Sequence, residues 1–150
     1  MEFEEKWLKD PTVFAVNREE PHSTHKYFNG NETFRKSLNG IWKFCYAFNT
    51  KTAVKGFEKP EFDCKDWEDV RVPGSIELQG YSKPHYVNIM YAWDGHNKIE
   101  PGEIPEDFNP TGSYVKYFTV DDAWKGNKIG VSFQGVESAV ALWCNGKFVG

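Results

Sequence analysis

The sequence predicts an all-β protein, built as an antiparallel sandwich or jelly roll. Three observations support this prediction: short segments rich in β-branched and aromatic residues recur, turn-forming pairs separate them at regular intervals, and no segment has a convincing long helical periodicity. A chain of 150 residues is long enough for one domain with a sizeable core. The aromatic fraction of 17%, with six tryptophans, supplies rings for that core or for a binding face.

The sequence predicts that the first 38 residues form an extended arm and that residues 39–150 form the domain. The arm is polar and aperiodic, so it cannot bury its few apolar side chains alone and should lie across its own domain or a partner subunit. His22 and His25 have a spacing that metal sites use. No neighbouring cysteine or carboxylate completes a ligand set, and a turn with exposed imidazoles is the favoured interpretation.

The first predicted strand is Ile41–Ala47. Its residues alternate in such a way that Trp42, Phe44 and Tyr46 form a wholly aromatic face. A second, short strand is predicted at Val70–Val72, where it enters a loop.

A long segment without regular structure is predicted between residues 93 and 112. It contains Asp-Gly, Pro-Gly and Asn-Pro pairs, which break helices and strands. Long loops in a compact domain are usually functional or mobile. Glu103, Glu106 and Asp107 lie in this segment, but no feature of the sequence would raise the pKa of one carboxyl above another, which favours a solvated acidic loop over a catalytic pair.

The last third predicts three more strands, at Tyr114–Val120, Lys128–Gln134 and Ala139–Cys144. Strict alternation in Lys128–Gln134 predicts one buried and one solvent-exposed face. Ala139–Cys144 is apolar on both faces, which predicts an interior strand. The Asn-Gly pair at 145–146 is the preferred type I′ hairpin turn. Because the chain stops at Gly150, just after this turn, we expect a sandwich truncated before its last strands.

Charge and cysteine content argue against several classes. The net charge is −4, the pI is near 5.6 and basic residues do not cluster, so neither nucleic acid nor a membrane is an expected partner. The chain begins without a basic or apolar leader, and no stretch is long and apolar enough to span a bilayer. Cys45, Cys64 and Cys144 form neither an even set nor a Cys-x-x-Cys motif, which predicts reduced thiols in a cytoplasmic protein.

The loop Val72–Asn88 is the strongest candidate for a binding surface. Two prolines and two glycines constrain its backbone, and Tyr81, His85, Tyr86 and Asn88 combine aromatic faces with hydrogen-bonding groups. This combination suits a sugar, whose C–H face stacks on rings while its hydroxyls need fixed polar partners. The alternative is a packed loop whose tyrosines fill the edge of a core.

Several of these segments, in this order, resemble the N-terminal part of bacterial glycoside hydrolase family 2 β-galactosidases. One such motif alone would be weak, but the ordered series covers nearly the whole chain and is specific. Asn17-Arg18 and Pro21–Ser23 in the arm are similar as well. The matching segments of the domain are Ser37–Phe44, Val72-Pro73, Gln79–Asn88, Asn109–Tyr114, Phe133–Ala139 and Leu142–Gly150.

The resemblance implies a galactose-binding-domain-like jelly roll that precedes two immunoglobulin-like domains flanking a TIM barrel. Asn88 matches the family asparagine that binds galactosyl hydroxyls, and an aspartate that shares this role lies beyond Gly150. A retaining glycosidase uses two carboxyl groups about 5 Å apart. The family places both glutamates in the barrel, so no catalytic residue is assigned to this chain.

The resemblance also implies cofactors and partners. Magnesium and sodium are expected in the full-length enzyme, held mostly by barrel residues, and no metal ligand is assigned here. The expected substrates are β-galactosides such as lactose, and the arm is expected to contribute to a homo-oligomer. Two features depart from the family pattern: Tyr91-Ala92 replaces a common Tyr-Pro, and the connection Trp93–Phe108 is longer than usual. The alternatives are a free-standing carbohydrate-binding module and a subunit-assembly element without catalysis.

Overall fold

The computed structural model describes residues 1–20, 34–84, 88 and 91–150. Every strand pairing in this part of the chain is antiparallel, and no α-helix occurs within these ranges, which confirms the all-β prediction. Short 3₁₀ turns lie at Glu5–Lys9, Glu77–Gln79 and Asp122–Trp124. The strands are β1 Gly40–Ala47, β2 Glu68–Val72, β3 Thr111–Val115, β4 Trp143–Cys144 and β5 Lys147–Phe148.

β1 is the central strand of a three-stranded sheet with the order β2-β1-β3. The predicted strands Ile41–Ala47 and Val70–Val72 are confirmed as the larger parts of β1 and β2. Lys43 lies directly opposite Asp69 in the register, and their side chains form an ion pair of 3.0 Å. Burial also fixes the register of β1 against its neighbours. A shift by one residue would turn the face of β1 that carries Phe44 to solvent.

The core of this sheet is small and centres on Phe44, which is 1% exposed. Its ring lies 4.8 Å from the ring of Tyr114, its partner in the β1–β3 register. Val70 on β2 is 2% exposed, and Cys64 is also buried. Of the predicted aromatic face of β1, Phe44 is therefore the core residue, whereas Trp42 and Tyr46 are half-buried.

The glycine of β3 is required by this packing. A Cβ atom on Gly112 would lie 2.7 Å from Cε2 of Phe44 and 2.8 Å from Cε2 of Tyr114. Both distances are shorter than carbon atoms tolerate, so a side chain here would displace the two rings. Gly112 thus allows the rings of β1 and β3 to meet.

β4 and β5 form the predicted type I′ hairpin. Its two turn residues, Asn145 and Gly146, have φ of 49° and 80°, as this turn requires. The pairing continues beyond β4 through Leu142, whose carbonyl accepts from the N–H of Val149 at 2.8 Å. The predicted strand Ala139–Cys144 is too long, since only its last two residues are assigned to a strand.

The predicted strand Tyr114–Val120 is displaced, because β3 begins at Thr111 and ends at Val115. The reason lies at the next residue. Nζ of Lys116 donates a hydrogen bond of 2.7 Å to the carbonyl of Ile41, so a side chain occupies the acceptor where the backbone ladder would continue. Tyr117 beyond it is 68% exposed.

The predicted strand Lys128–Gln134 is absent from the described structure, and its apolar face is not buried. Ile129, Val131 and Phe133 are 52%, 48% and 44% exposed. Alternation of side chains indicates which face could be buried, but a strand also needs a neighbour to pair with. None of the described ladders includes this segment.

The described part of the arm, residues 1–20, lies against its own domain. The ring of Phe3 is 5.7 Å from that of Trp143 on β4, and the ring of Trp7 is 6.0 Å from that of Phe148 on β5. The hydroxyl of Thr50 also donates to a carboxylate of the arm. Of the two surfaces that the sequence left open for the arm, its own domain is the one it contacts in this chain. The boundary at residue 38 stays a prediction.

Candidate functional site

The loop Val72–Asn88 is attached to the free edge of β2 by one amide side chain. Oε1 of Gln79 accepts from the backbone N–H of Arg71 at 2.7 Å, and Nε2 of Gln79 donates to the Arg71 carbonyl at 3.1 Å. The side chain thus pairs with both backbone groups of one residue, as a neighbouring strand would. It fixes the middle of the loop relative to the sheet.

Tyr81 provides a second attachment for this loop. Its ring lies 4.7 Å from the ring of Phe44, and its hydroxyl donates to the carboxylate of Glu68 on β2. This hydrogen bond, more than burial, raises the pKa of Tyr81 to about 12. Tyr81 is therefore a packing residue, in agreement with the alternative in which tyrosines fill the edge of the core. His85 and Tyr86 lie outside the described residues.

Asn88 is exposed and adopts a left-handed backbone conformation, with φ of 70°. Asparagine tolerates this conformation better than most residues that carry a side chain. Its carboxamide can both donate and accept hydrogen bonds. Asn88 therefore places a group suited to sugar hydroxyls at the surface, just beyond the fixed part of the loop.

The segment after Asn88 is a loop whose beginning and end are joined by hydrogen bonds. The indole N–H of Trp93 donates to the carbonyl of Phe108 at 2.7 Å, and Nδ2 of Asn97 donates to Oδ1 of Asp107 at 3.0 Å. The next residue along the chain, Asn109, donates its backbone N–H to the carbonyl of Phe48 at 2.7 Å, which joins the loop to the end of β1. The loop therefore has a defined shape although it lacks strands.

An open depression of about 370 Å³ lies on this loop. It combines an aromatic ring, two aliphatic side chains and three polar or charged groups, so apolar and hydrogen-bonding surfaces lie side by side. We call it the 91–99 depression. Its lining residues are Tyr91, Ala92, Asp94, Asn97, Lys98 and Ile99.

The acidic residues of the loop have structural partners. Glu106 forms an ion pair with Lys51, whose hydrogen bond and charge hold the pKa of that carboxyl below its usual value. A general acid needs the opposite shift. Asp107 accepts from Asn97, and Glu103 accepts from the backbone three residues before it. These contacts agree with the interpretation of a solvated acidic loop.

The sequence profile of the sugar binding domain of glycosyl hydrolases family 2 matches residues 35–150. The chain belongs to this family. The match includes the sheet, the Val72–Asn88 loop and the 91–99 depression, and it begins close to the predicted end of the arm. The sugar-binding domain of glycosyl hydrolases family 2 is a β-sandwich, which agrees with the predicted fold class.

The similar proteins reported below are all named as beta-galactosidases or as a subunit of one. The chain is 53% identical to a beta-galactosidase of Halalkalibacterium halodurans and 46% identical to a beta-galactosidase of Streptococcus thermophilus, over 96% of this chain and 15% of each relative. It is 39% identical to the beta-galactosidase large subunit of Leuconostoc lactis, over 96% of this chain and 26% of that protein. The chain therefore spans about 15% to 26% of the length of these relatives.

Two further features bear on the predictions of metals and membranes for this family member. Within the described ranges, no three His, Cys, Asp or Glu side chains gather as a metal site would require. His22 and His25 lie outside those ranges. The described residues also contain no helix with the length and apolarity needed to cross a bilayer.

Sequence reasoning missed two contributions to this surface. Gln79 was assigned only to a family motif, yet its amide holds the loop to β2. In the pair Tyr91-Ala92 it is Ala92 that departs from the family pattern, yet Tyr91 is 84% exposed and lines the depression. An aromatic residue shortly before the breaker-rich segment 93–112 was the available signal for Tyr91. No local pattern signals the role of Gln79, because its partner Arg71 lies eight residues away.

Proposed function

We propose that this chain is the sugar-binding domain of a retaining β-galactosidase that hydrolyses terminal β-D-galactosyl residues. The observation that carries the proposal is the 53% identity to a beta-galactosidase over 96% of the chain. The proposed substrates are β-galactosides such as lactose.

Asn88 is the residue proposed to contact the galactosyl unit. It is exposed, it lies at the end of a loop anchored at Gln79 and Tyr81, and its amide can serve as donor and acceptor at once. Asn88 would bind and orient substrate without taking part in bond cleavage.

The catalytic groups are proposed to come from other parts of the polypeptide. Retaining hydrolysis needs an acid/base and a nucleophilic carboxylate about 5 Å apart. In this chain the carboxylates of Glu103, Glu106 and Asp107 are engaged in structural contacts, and Glu106 has a lowered pKa. The magnesium and sodium expected in the full-length enzyme are proposed to be held by barrel residues, and no step of the reaction is assigned to a metal here. A cytoplasmic location and a homo-oligomer remain part of the proposal.

The proposal is tested by replacing Asn88 in the full-length enzyme. Asn88→Gly removes the amide while keeping the left-handed backbone accessible, so the variant separates lost binding from backbone strain. We expect kcat/KM for lactose to fall by roughly 5- to 150-fold, which corresponds to the loss of one hydrogen-bonding partner of about 1 to 3 kcal/mol. Asn88→Asp, which retains the acceptor but not the donor, should give a smaller loss.

Unchanged galactoside kinetics in Asn88→Gly would reject the assignment of Asn88. The second candidate is a free-standing carbohydrate-binding module. The length and the activity of the protein made from the natural gene distinguish the two candidates. If the natural protein were this chain alone and bound galactose without hydrolysing lactose, the binding module would replace the enzyme.

A further inference from the structure

We propose that Asn145 is a site of covalent modification, at which its side-chain amide is converted to an isoaspartyl linkage with Gly146. This inference goes beyond the proposed function, because it concerns the β4–β5 hairpin and not the binding of sugar. The sequence contains three Asn-Gly pairs, at 29–30, 39–40 and 145–146. The first pair lies outside the described residues, and the structure distinguishes the other two.

The reaction needs an asparagine amide, a backbone nitrogen that can attack it, and water. The nitrogen of Gly146 forms a bond to Cγ of Asn145, and the bond between Cγ and Nδ2 breaks. The proton of the Gly146 N–H is transferred through water to Nδ2, which leaves as ammonia. Water then opens the resulting five-membered succinimide at one of its two carbonyls, so the chain continues either through the main-chain carbonyl, as aspartate, or through the side chain, as isoaspartate.

Both reacting groups are accessible in the hairpin turn. Asn145 and Gly146 are exposed to solvent. In the part of the chain that the structure describes, neither the carboxamide of Asn145 nor the N–H of Gly146 takes part in a hydrogen bond. Glycine also leaves its own nitrogen unhindered, because it has no Cβ.

Gly40, by contrast, is paired within the sheet. It lies opposite Val72 in the β1–β2 register. The neighbouring pair of Ile41 and Arg71 is not hydrogen-bonded, because Arg71 directs its N–H and its carbonyl to Gln79. The two kinds of pair alternate in an antiparallel ladder, so the N–H of Gly40 is bonded to the carbonyl of Val72. The nitrogen of Gly40 is therefore released only when this end of the sheet opens.

The β4–β5 hairpin is suited to local opening. Closing the five-membered ring requires the backbone at Asn145 to rotate away from the type I′ geometry, in which its φ is 49°. The turn must therefore open before the attack. β4 and β5 have only two residues each, and a short two-stranded hairpin opens at a low cost in free energy.

Isoaspartate would alter the hairpin because it adds one carbon atom to the backbone. A longer backbone no longer suits a two-residue turn between Cys144 and Lys147, which lie opposite each other in the ladder. The turn also has little space on one side, since a Cβ on Gly146 would lie 3.1 Å from Cδ of Pro60. The modified turn should therefore separate the two strands.

Separation of the strands would affect the arm. The ring of Phe3 contacts that of Trp143 on β4, and the ring of Trp7 contacts that of Phe148 on β5. These contacts need both strands in place. Modification of Asn145 is thus expected to loosen the arm from its domain.

The first test follows the full-length enzyme during incubation in mildly alkaline buffer. Peptide mapping by mass spectrometry locates isoaspartate, and uptake of heavy oxygen from labelled water marks the opening of the succinimide. We expect isoaspartate at Asn145 to exceed that at Asn39 by about tenfold or more, because the hairpin opens more readily than the sheet. The rate should rise with pH, since the attacking nitrogen must lose its proton. Equal amounts at the two positions, or none at Asn145, would overturn the proposal.

The second test uses Asn145→Gly, which removes the carboxamide and keeps positive φ accessible. Trypsin should cleave after Lys9 in the arm faster in incubated than in fresh wild-type enzyme, whereas incubation should not change this rate in Asn145→Gly. If wild type with isoaspartate at Asn145 were as resistant as fresh enzyme, the effect on the arm would be refuted. Neither test measures hydrolysis of a galactoside, so their failure and the failure of the proposed function are distinguishable.

Discussion

The hydroxyl of Tyr81 donates a hydrogen bond to the carboxylate of Glu68, which fastens the Val72–Asn88 loop to strand β2. Ionisation of the phenol would remove the donor and place two negative charges side by side, which is why the pKa of Tyr81 is raised to about 12. The neutral phenol is the bonded form. The stabilisation is therefore present below the ordinary tyrosine pKa of 10.0 and is lost as the pH rises through about 12.

A spectrophotometric titration of the tyrosines checks this relationship. We expect one group of the wild-type protein to ionise near pH 12, and Tyr81→Phe to remove that component. Tyr114 and Tyr117 also have raised pKa values, because of burial and a hydrogen bond to Cys64 respectively, and Tyr117→Phe provides the matched control. If Tyr81→Phe removed a transition near pH 10 instead, the hydrogen bond to Glu68 would be refuted.

Phe44 should dominate the stability of the sheet. It is 1% exposed and contacts the rings of Tyr81 and Tyr114, so Phe44→Ala would leave a cavity between the sheet and the loop. We expect the free energy of unfolding to fall by about 3 to 5 kcal/mol. Ile41→Ala on the same strand, where the side chain is 56% exposed, should cost about 1 kcal/mol or less. Denaturant unfolding of both variants measures the difference, and equal losses would contradict this core.

Gly112→Ala should be destabilising although the residue is exposed. The added Cβ would lie within 3 Å of the rings of Phe44 and Tyr114, so the rings must move, at a cost of about 1 to 3 kcal/mol. Gly130→Ala is the matched control, because a Cβ there meets nothing within 4 Å and the backbone needs no positive φ. A thermal midpoint of Gly112→Ala equal to that of Gly130→Ala would show that the rings do not approach β3 in this way.

The arm is proposed to contribute to assembly as well as to the stability of its own domain. Removing residues 1–38 takes away the ring contacts of Phe3 and Trp7 with the β4–β5 hairpin. We expect the enzyme that lacks only residues 1–38 to sediment as a smaller oligomer than the full-length enzyme. Phe3→Ala combined with Trp7→Ala removes the intramolecular contacts without shortening the arm, and separates the two effects. An unchanged sedimentation profile of the truncated enzyme would reject the assembly role.

Local patterns predicted those features that depend on neighbours in the sequence. The alternation in Ile41–Ala47 predicted a strand and the face on which Phe44 is buried, because side-chain direction in a strand has a period of two. The Asn-Gly pair at 145–146 predicted the hairpin turn, because both positions need positive φ. The same alternation predicted a strand at Lys128–Gln134 that the described structure lacks, since alternation carries no information on a pairing partner.

The all-β class, the strand at the centre of the sheet, the hairpin turn and the resemblance to the family could all be predicted from local sequence patterns. The end of β3 could not, because it coincides with a hydrogen bond between Lys116 and Ile41, residues 75 positions apart. Tertiary structure also placed Tyr81 in the packing against Phe44 and closed the loop that carries Tyr91. These features depend on hydrogen bonds and ring contacts between residues distant in the chain, and no periodicity or turn preference encodes which distant groups will meet.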